Sequence, residues 1–115
     1  MRVAIVGSRK VPADIEEIIL SYLPAMTTEI VSGGADGVDT AAKAVAARLG
    51  IPCKEMFPDY ARFGKRAPLV RNDDIIDYAD MVLAFWDGKS HGTQYVIGEC
   101  LKKSKYIRYI PIEGE

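Results

Sequence analysis

The chain has 115 residues, 49% hydrophobic and 27% charged, with a formal net charge of −1 at pH 7. That length and balance suit one folded domain over residues 1–115 whose core needs neither disulfides nor metal, and they exclude disorder along the whole chain. Domains that neutralise many phosphates non-specifically are usually clearly basic, so the charge argues against a dedicated DNA binder but leaves room for a local anion site.

Cys53 and Cys100 form no CxxC and have no histidine beside them. Two buried, reduced thiols are expected, and a metal site is not. The apolar runs are no longer than strands and no signal-peptide pattern occurs, so the cytoplasm is the expected compartment and no membrane contact is expected.

A first strand is expected over residues 2–6, rich in β-branched side chains and stopped by Gly7. A helix follows from Pro12, which suits a first turn. Ile15, Ile18, Ile19, Tyr22 and Leu23 share one face of it, and Pro24 ends it. A short strand covers 29–32. The second helix starts near Asp36, carries Val38, Ala41, Ala42, Val45, Ala46 and Leu49 on one stripe, and stops at Gly50 and Pro52. A third strand is expected over 52–57, then a polar loop with Asp59, Tyr60, Arg62 and Gly64. A third helix spans 68–78, and an almost wholly apolar strand spans 81–86, as suits a central parallel strand. The loop 87–92 leads into a helix over 93–104, and a last strand covers 106–112.

The alternation of strand and helix predicts an α/β fold: a Rossmann-like three-layer sandwich. Its five-stranded, mainly parallel sheet has the expected order 3-2-1-4-5, with helices on both faces. Right-handed crossovers then gather the strand-to-helix loops at the carboxyl edge, where ligands of such sheets bind.

Those loops hold the candidate site. Ser32-Gly33-Gly34-Ala35-Asp36-Gly37-Val38-Asp39 joins a strand to an alanine-rich helix. Its glycines allow positive φ and close backbone approach, and the helix offers free N–H groups to an anion. Asp36 or Asp39 serves either as a cap or loop brace or as a ligand contact. Ser90-His91-Gly92-Thr93 opens the last helix with amides and two hydroxyls, fit either to cradle phosphate or simply to cap. In Gly7-Ser8-Arg9, Ser8 either donates to phosphate or braces a neighbouring loop, and Arg9 either pairs with phosphate or stays solvated. Asn72 interrupts an apolar stripe of Leu69, Ile76 and Ala79 and needs loop or ligand partners, with Arg71 beside it. His91 is the lone histidine. Trp86 and Tyr60 are candidate stackers for a base, or packing residues. Other motifs fail: one glycine follows the first strand instead of GxGxxG, Leu83 stands where a P-loop ending in Gly88-Lys89-Ser90 needs glycine, and no GxSxG occurs.

The pieces above, with Asp80 and Ala84-Phe85, occur in order across nearly the whole chain. In them the sequence resembles the SLOG superfamily, a Rossmann-like group that includes the LOG cytokinin-activating proteins, the YpsA and YspA-like proteins and the DprA domain. The 32–39 segment is the most specific and resembles most the small YspA-like branch, whose function is unknown. The resemblance implies a nucleotide-ligand fold with phosphate near the glycine loops. No cofactor is certain; a bound nucleotide such as AMP, ADP-ribose or an NAD-like molecule is implied, and pairing into a homodimer through helices. The LOG hydrolases carry PGGxGTxxE and an upstream arginine. Here Gly92-Thr93 and Arg71 match, but Val96 stands in place of the glutamate, with Glu99 further along the helix.

The leading expectation is a binding or sensing domain for a small-molecule nucleotide. Its phosphate would lie between the Gly33-to-Gly37 loop and the Ser90-to-Thr93 loop. An alternative is a nucleotide N-glycosidic hydrolase in which Arg71 holds phosphate or ribose and Asp36 or Glu99 assists the leaving base. A further alternative is a DprA-like nucleic-acid accessory protein, by analogy of fold alone. With a near-neutral charge and no basic stripe, a nucleic-acid partner is not expected.

Overall fold

A computed structural model describes residues 1–114 of the chain. Five strands form one sheet in the order β3-β2-β1-β4-β5: β1 (Arg2–Gly7), β2 (Glu29–Ser32), β3 (Cys53–Glu55), β4 (Met81–Trp86) and β5 (Ile107–Pro111). All four pairings are parallel. The expected α/β sandwich and strand order are therefore present, and the sheet is parallel throughout.

Alternation along the strands divides the core into two layers. Val3, Ile5, Ile30, Leu83 and Phe85 point to one face, under α1 (Ile15–Tyr22) and α2 (Val38–Leu49). Ala4, Val6, Val31, Val82 and Ala84 point to the other, under α4 (Ala67–Tyr78) and α5 (His91–Lys102). The alanine stripe of α2 lets that helix lie close on the sheet: Ala41, Ala42 and Ala46 are all buried. Cys100 is buried in the second layer, where burial pushes its thiol up to about 11, whereas Cys53 on edge strand β3 is only half-buried.

Element starts differ from expectation for local reasons. α1 begins at Ile15, not Pro12, because the chain first makes a turn in which the Ile15 N–H donates to the Pro12 carbonyl at 3.2 Å. α2 begins after Gly37, whose φ of +75° is not helical. α5 begins at His91, two residues early, because Ser90 caps it. β3 is three residues long, although the Met56 N–H still reaches the Ser32 carbonyl at 2.8 Å. The expected polar loop contains a short helix, α3 (Tyr60–Phe63), and a 3-10 turn over Gly64–Arg66. Asp59 caps α3 by accepting from the Arg62 N–H at 3.1 Å. No helix among the described residues is long and apolar enough to cross a membrane.

Candidate functional site

At the carboxyl rim of β1, β2 and β4 the chain leaves a cleft of about 290 Å³. Its lining draws Arg9, Gly33, Ala35 and Asp39 from the first two loops and the start of α2, and Arg71, Asn72, Ser90, Gly92 and Thr93 from α4, the third loop and the start of α5. Gly7 lies at the base, and Val6, Ile75 and Val96 give it an apolar floor. Turns far apart in sequence thus meet in one hollow, because parallel crossovers return every strand in the same direction.

The first loop is braced from within. Ser8 is buried, and its Oγ accepts from the Asp87 N–H at 3.0 Å. Its backbone N–H donates to the Phe85 carbonyl and its carbonyl accepts from the Val38 N–H, each at 3.1 Å. Ser8 ties β1, β4 and α2 together and does not line the cleft; Arg9, exposed beside it, does.

In the second loop the glycines serve the chain's own packing. Gly37 has a left-handed φ, and a Cβ there would collide with the Ser8 and Arg9 carbonyls. Gly34, also left-handed, lies against the Phe57 ring. Asp39 Oδ2 accepts from the Ala35 N–H at 3.1 Å. Burial pushes the Asp39 carboxyl up, opposed by the Ala35 amide and the Arg71 charge. Ser32 is enclosed behind the loop, where its Oγ donates to the Asp39 carbonyl and accepts from the Gly34 N–H, both at 3.4 Å. Asp39 and Ser32 are loop braces in this arrangement.

Arg71 and Asn72 enter from α4. Arg71 Nη1 donates to the Gly33 carbonyl at 2.7 Å and to the Met56 carbonyl at 3.4 Å, while its Nε donates to Asn72 Oδ1 at 2.8 Å. Among the described residues every enclosed side-chain polar atom has a partner. Asn72 is only 9% exposed and lines the cleft. Its Nδ2 makes no hydrogen bond to the described residues, so that donor opens into the cleft.

The third loop is ordered by Asp87, whose Oδ1 accepts from the Lys89 and Ser90 N–H groups at 2.8 and 3.0 Å. Those amides hold the Asp87 carboxyl below its usual range. Ser90 Oγ caps α5 by accepting from the Thr93 N–H at 3.4 Å. The Gly92 amide is left at the cleft, on the positive end of a 12-residue helix.

Several candidates lie elsewhere. Trp86 does not stack in the cleft: its indole N–H donates to the Ser90 carbonyl at 2.9 Å and its ring meets Tyr109 edge-on at 5.8 Å. His91 is exposed at the first turn of α5, outside the lining. Asp36 and Gly37 face a separate shallow groove beside α1. Glu99 lies about two turns beyond Gly92 and pairs with Lys102 at 3.4 Å, so it cannot serve a reacting atom in the cleft. Val96, in place of the hydrolase glutamate, is part of the floor. Tyr60 is exposed outside the lining, close enough to interact with the Arg71 charge.

Two features were not anticipated. Ile75, one helical turn past Asn72, closes the floor; helical spacing from Asn72 would have found it. The second is the distribution of cations. Ion pairs among the described residues engage Arg2, Lys43, Arg48, Lys102 and Lys103. None engages Arg9 or Lys10 after β1, Arg62, Lys65, Arg66 or Arg71 between β3 and the end of α4, or Lys89 after β4. Three carboxyl-edge connections therefore carry unpaired positive charge. Summing charge loop by loop would have revealed the excess after β1 and β3, though not after β4, where Asp87 offsets Lys89 in the sum.

The sequence model of a family described as DNA recombination-mediator protein A matches residues 1–58, half of the 115-residue chain. No curated protein matches. Among solved structures, DNA processing protein A (DprA) from Streptococcus pneumoniae superposes with a TM-score of 0.76 at 21% identity, over 96% of this chain and 50% of its own. DNA processing protein A from Helicobacter pylori, a structure concerned with its single-stranded DNA binding mode, superposes with a TM-score of 0.77 at 22% identity, over 100% of this chain and 68% of its own. At such identities the likeness carries the fold; this chain spans half the length of the S. pneumoniae protein. The expectation of no nucleic-acid partner is overturned by the match to a family of DNA recombination mediators, with a fold neighbour that binds single-stranded DNA. The physical reason is that a net charge of −1 is a property of the whole chain and not of every face.

Proposed function

Because this chain belongs to the DNA recombination-mediator protein A family, we propose that it binds single-stranded DNA along the carboxyl rim of its sheet, with backbone phosphate seated in the cleft. One observation carries this reading: Arg9 and Arg71, neither in an ion pair, converge with the Gly92 amide and the Asn72 amide nitrogen on one recess. A strand phosphate supplies acceptor oxygens to Arg9, the Gly92 amide and the Asn72 amide nitrogen, and a counter-charge to Arg71, whose Nη1 and Nε already hold the chain. The unpaired cations of the flanking loops then extend the contact along the backbone. A recess suits a flexible strand, which can push one phosphate inward, better than a stiff duplex, which meets only the rim. The 32–39 segment further supports a place near the YspA-like branch of the wider superfamily.

Fluorescence anisotropy with a labelled single-stranded oligonucleotide tests the reading. Arg9→Ala removes an exposed cation without touching a brace. It is expected to weaken binding and to flatten the salt dependence, by about 0.7 in log K against log salt for each phosphate that is no longer neutralised. Unchanged affinity and slope would refute a role for the cleft.

A further inference from the structure

We propose that residues 57–66 form a base-stacking platform beside the cleft, which makes the surface prefer strands with accessible bases. The inference rests on the single-stranded DNA reading above and assigns a task to side chains that the cleft leaves unused. Phe57, Tyr60 and Phe63 are 64%, 61% and 37% exposed and belong to neither hydrophobic core cluster. Three such rings in seven consecutive residues are more than scattered surface apolarity accounts for. Tyr60 and Phe63 stand three residues apart in α3, on neighbouring positions of one helical face.

One cation falls among the rings and two follow them. Arg62, Lys65 and Arg66 are exposed, none is in an ion pair, and the Arg62 guanidinium lies 5.0 Å from the Phe63 ring centre. The one acid in the segment, Asp59, is committed to capping α3. Flat apolar faces beside unpaired positive charges complement a strand of bases and phosphates. An acidic protein partner would satisfy the charges and leave the rings without flat counterparts.

The platform is also anchored to the cleft. The Phe57 ring rests on Gly34, next to cleft residue Gly33. The same Arg71 guanidinium that holds Gly33 reaches the Met56 carbonyl, one residue before Phe57. A phosphate in the cleft thereby brings the neighbouring bases over the rings.

The test compares a thymidine oligonucleotide of about 15 nucleotides, within the range of single-strand site sizes, with an abasic strand of equal length and charge, using the full chain. The wild type is expected to bind the thymidine strand about tenfold more tightly. Tyr60→Ala should reduce that preference at least about fivefold while leaving abasic binding and its salt slope unchanged, and Tyr60→Trp should retain it. Equal binding of both strands by the wild type overturns the platform and leaves the phosphate reading standing; so does an equal loss on both strands in Tyr60→Ala. Binding of neither strand removes both. The wild-type comparison depends on no variant's folding.

Discussion

Arg71 reaches back 38 residues to donate through Nη1 to the Gly33 carbonyl at 2.7 Å. The same guanidinium holds Asn72 Oδ1 through Nε. One side chain therefore fixes both a backbone turn and a neighbouring amide of the cleft lining. Burial lowers its pKa, yet it stays a cation, helped by Asp39.

Arg71→Lys is expected to keep the charge and lose the geometry, since an ammonium cannot place donors on Gly33 and Asn72 as a planar fork does. Single-stranded DNA affinity should fall about tenfold, and stability by about 1–2 kcal/mol, for a charge-assisted hydrogen bond at a half-buried position. Anisotropy and urea unfolding measure the two effects.

Ser8→Ala tests the brace among loops. The Asp87 N–H would lose its acceptor, the Ser8 Oγ. Leaving this half-buried donor unpaired costs about 1 kcal/mol, the low end for an unmet donor, so the midpoint of thermal unfolding should drop by a few degrees. DNA affinity per folded molecule should change less than in Arg9→Ala, because Ser8 does not line the cleft.

Gly37→Ala is expected to destabilise by more than about 2 kcal/mol. The new Cβ meets the Arg9 and Ser8 carbonyls at a left-handed φ of +75°, and such backbone strain alone costs about 1–3 kcal/mol. Gly50, with a φ of +69° and nothing within 4 Å of where a Cβ would stand, is the control: Gly50→Ala should cost only the backbone strain.

Asp39 sets a pH dependence. Burial raises its carboxyl above the ordinary 3.8, so its folded-state pKa exceeds the unfolded one. Its contribution is then fully present below the unfolded pKa and is lost as pH rises through the folded one. Asp39→Asn removes this titration and retains an oxygen for the Ala35 N–H. The stability of Asp39→Asn relative to wild type should therefore rise between about pH 3 and pH 7, measured by urea unfolding across that range. A difference that falls over the window would reverse the assigned direction.

The sheet was legible because β1 and β4 are nearly continuous apolar runs, as central parallel strands require. α2 was legible because its alanine and valine stripe recurs at helical spacing. α3 was not, since four residues hold too little periodicity and its start depends on the Asp59 cap. The convergence of Gly33 and Thr93 followed from topology alone; that of Arg71 depended on the start of α4 lying at the same edge. The exclusion of Trp86 did not, because its indole is claimed by a carbonyl four residues along, in a tight loop whose shape depends on Asp87. The partner was misjudged on a chain-wide charge, while Arg62, Lys65, Arg66 and Lys89 already sat in loops assigned to one edge.

Phosphate capture at the rim is read out by the salt dependence of single-stranded DNA binding. Wild-type affinity should fall linearly in log K against log salt, with a slope of about −0.7 for each phosphate neutralised, and replacing Arg9, Arg66 and Lys89 together by alanine should flatten it by about 2. No binding at low salt, or the same slope in the triple variant, would contradict it.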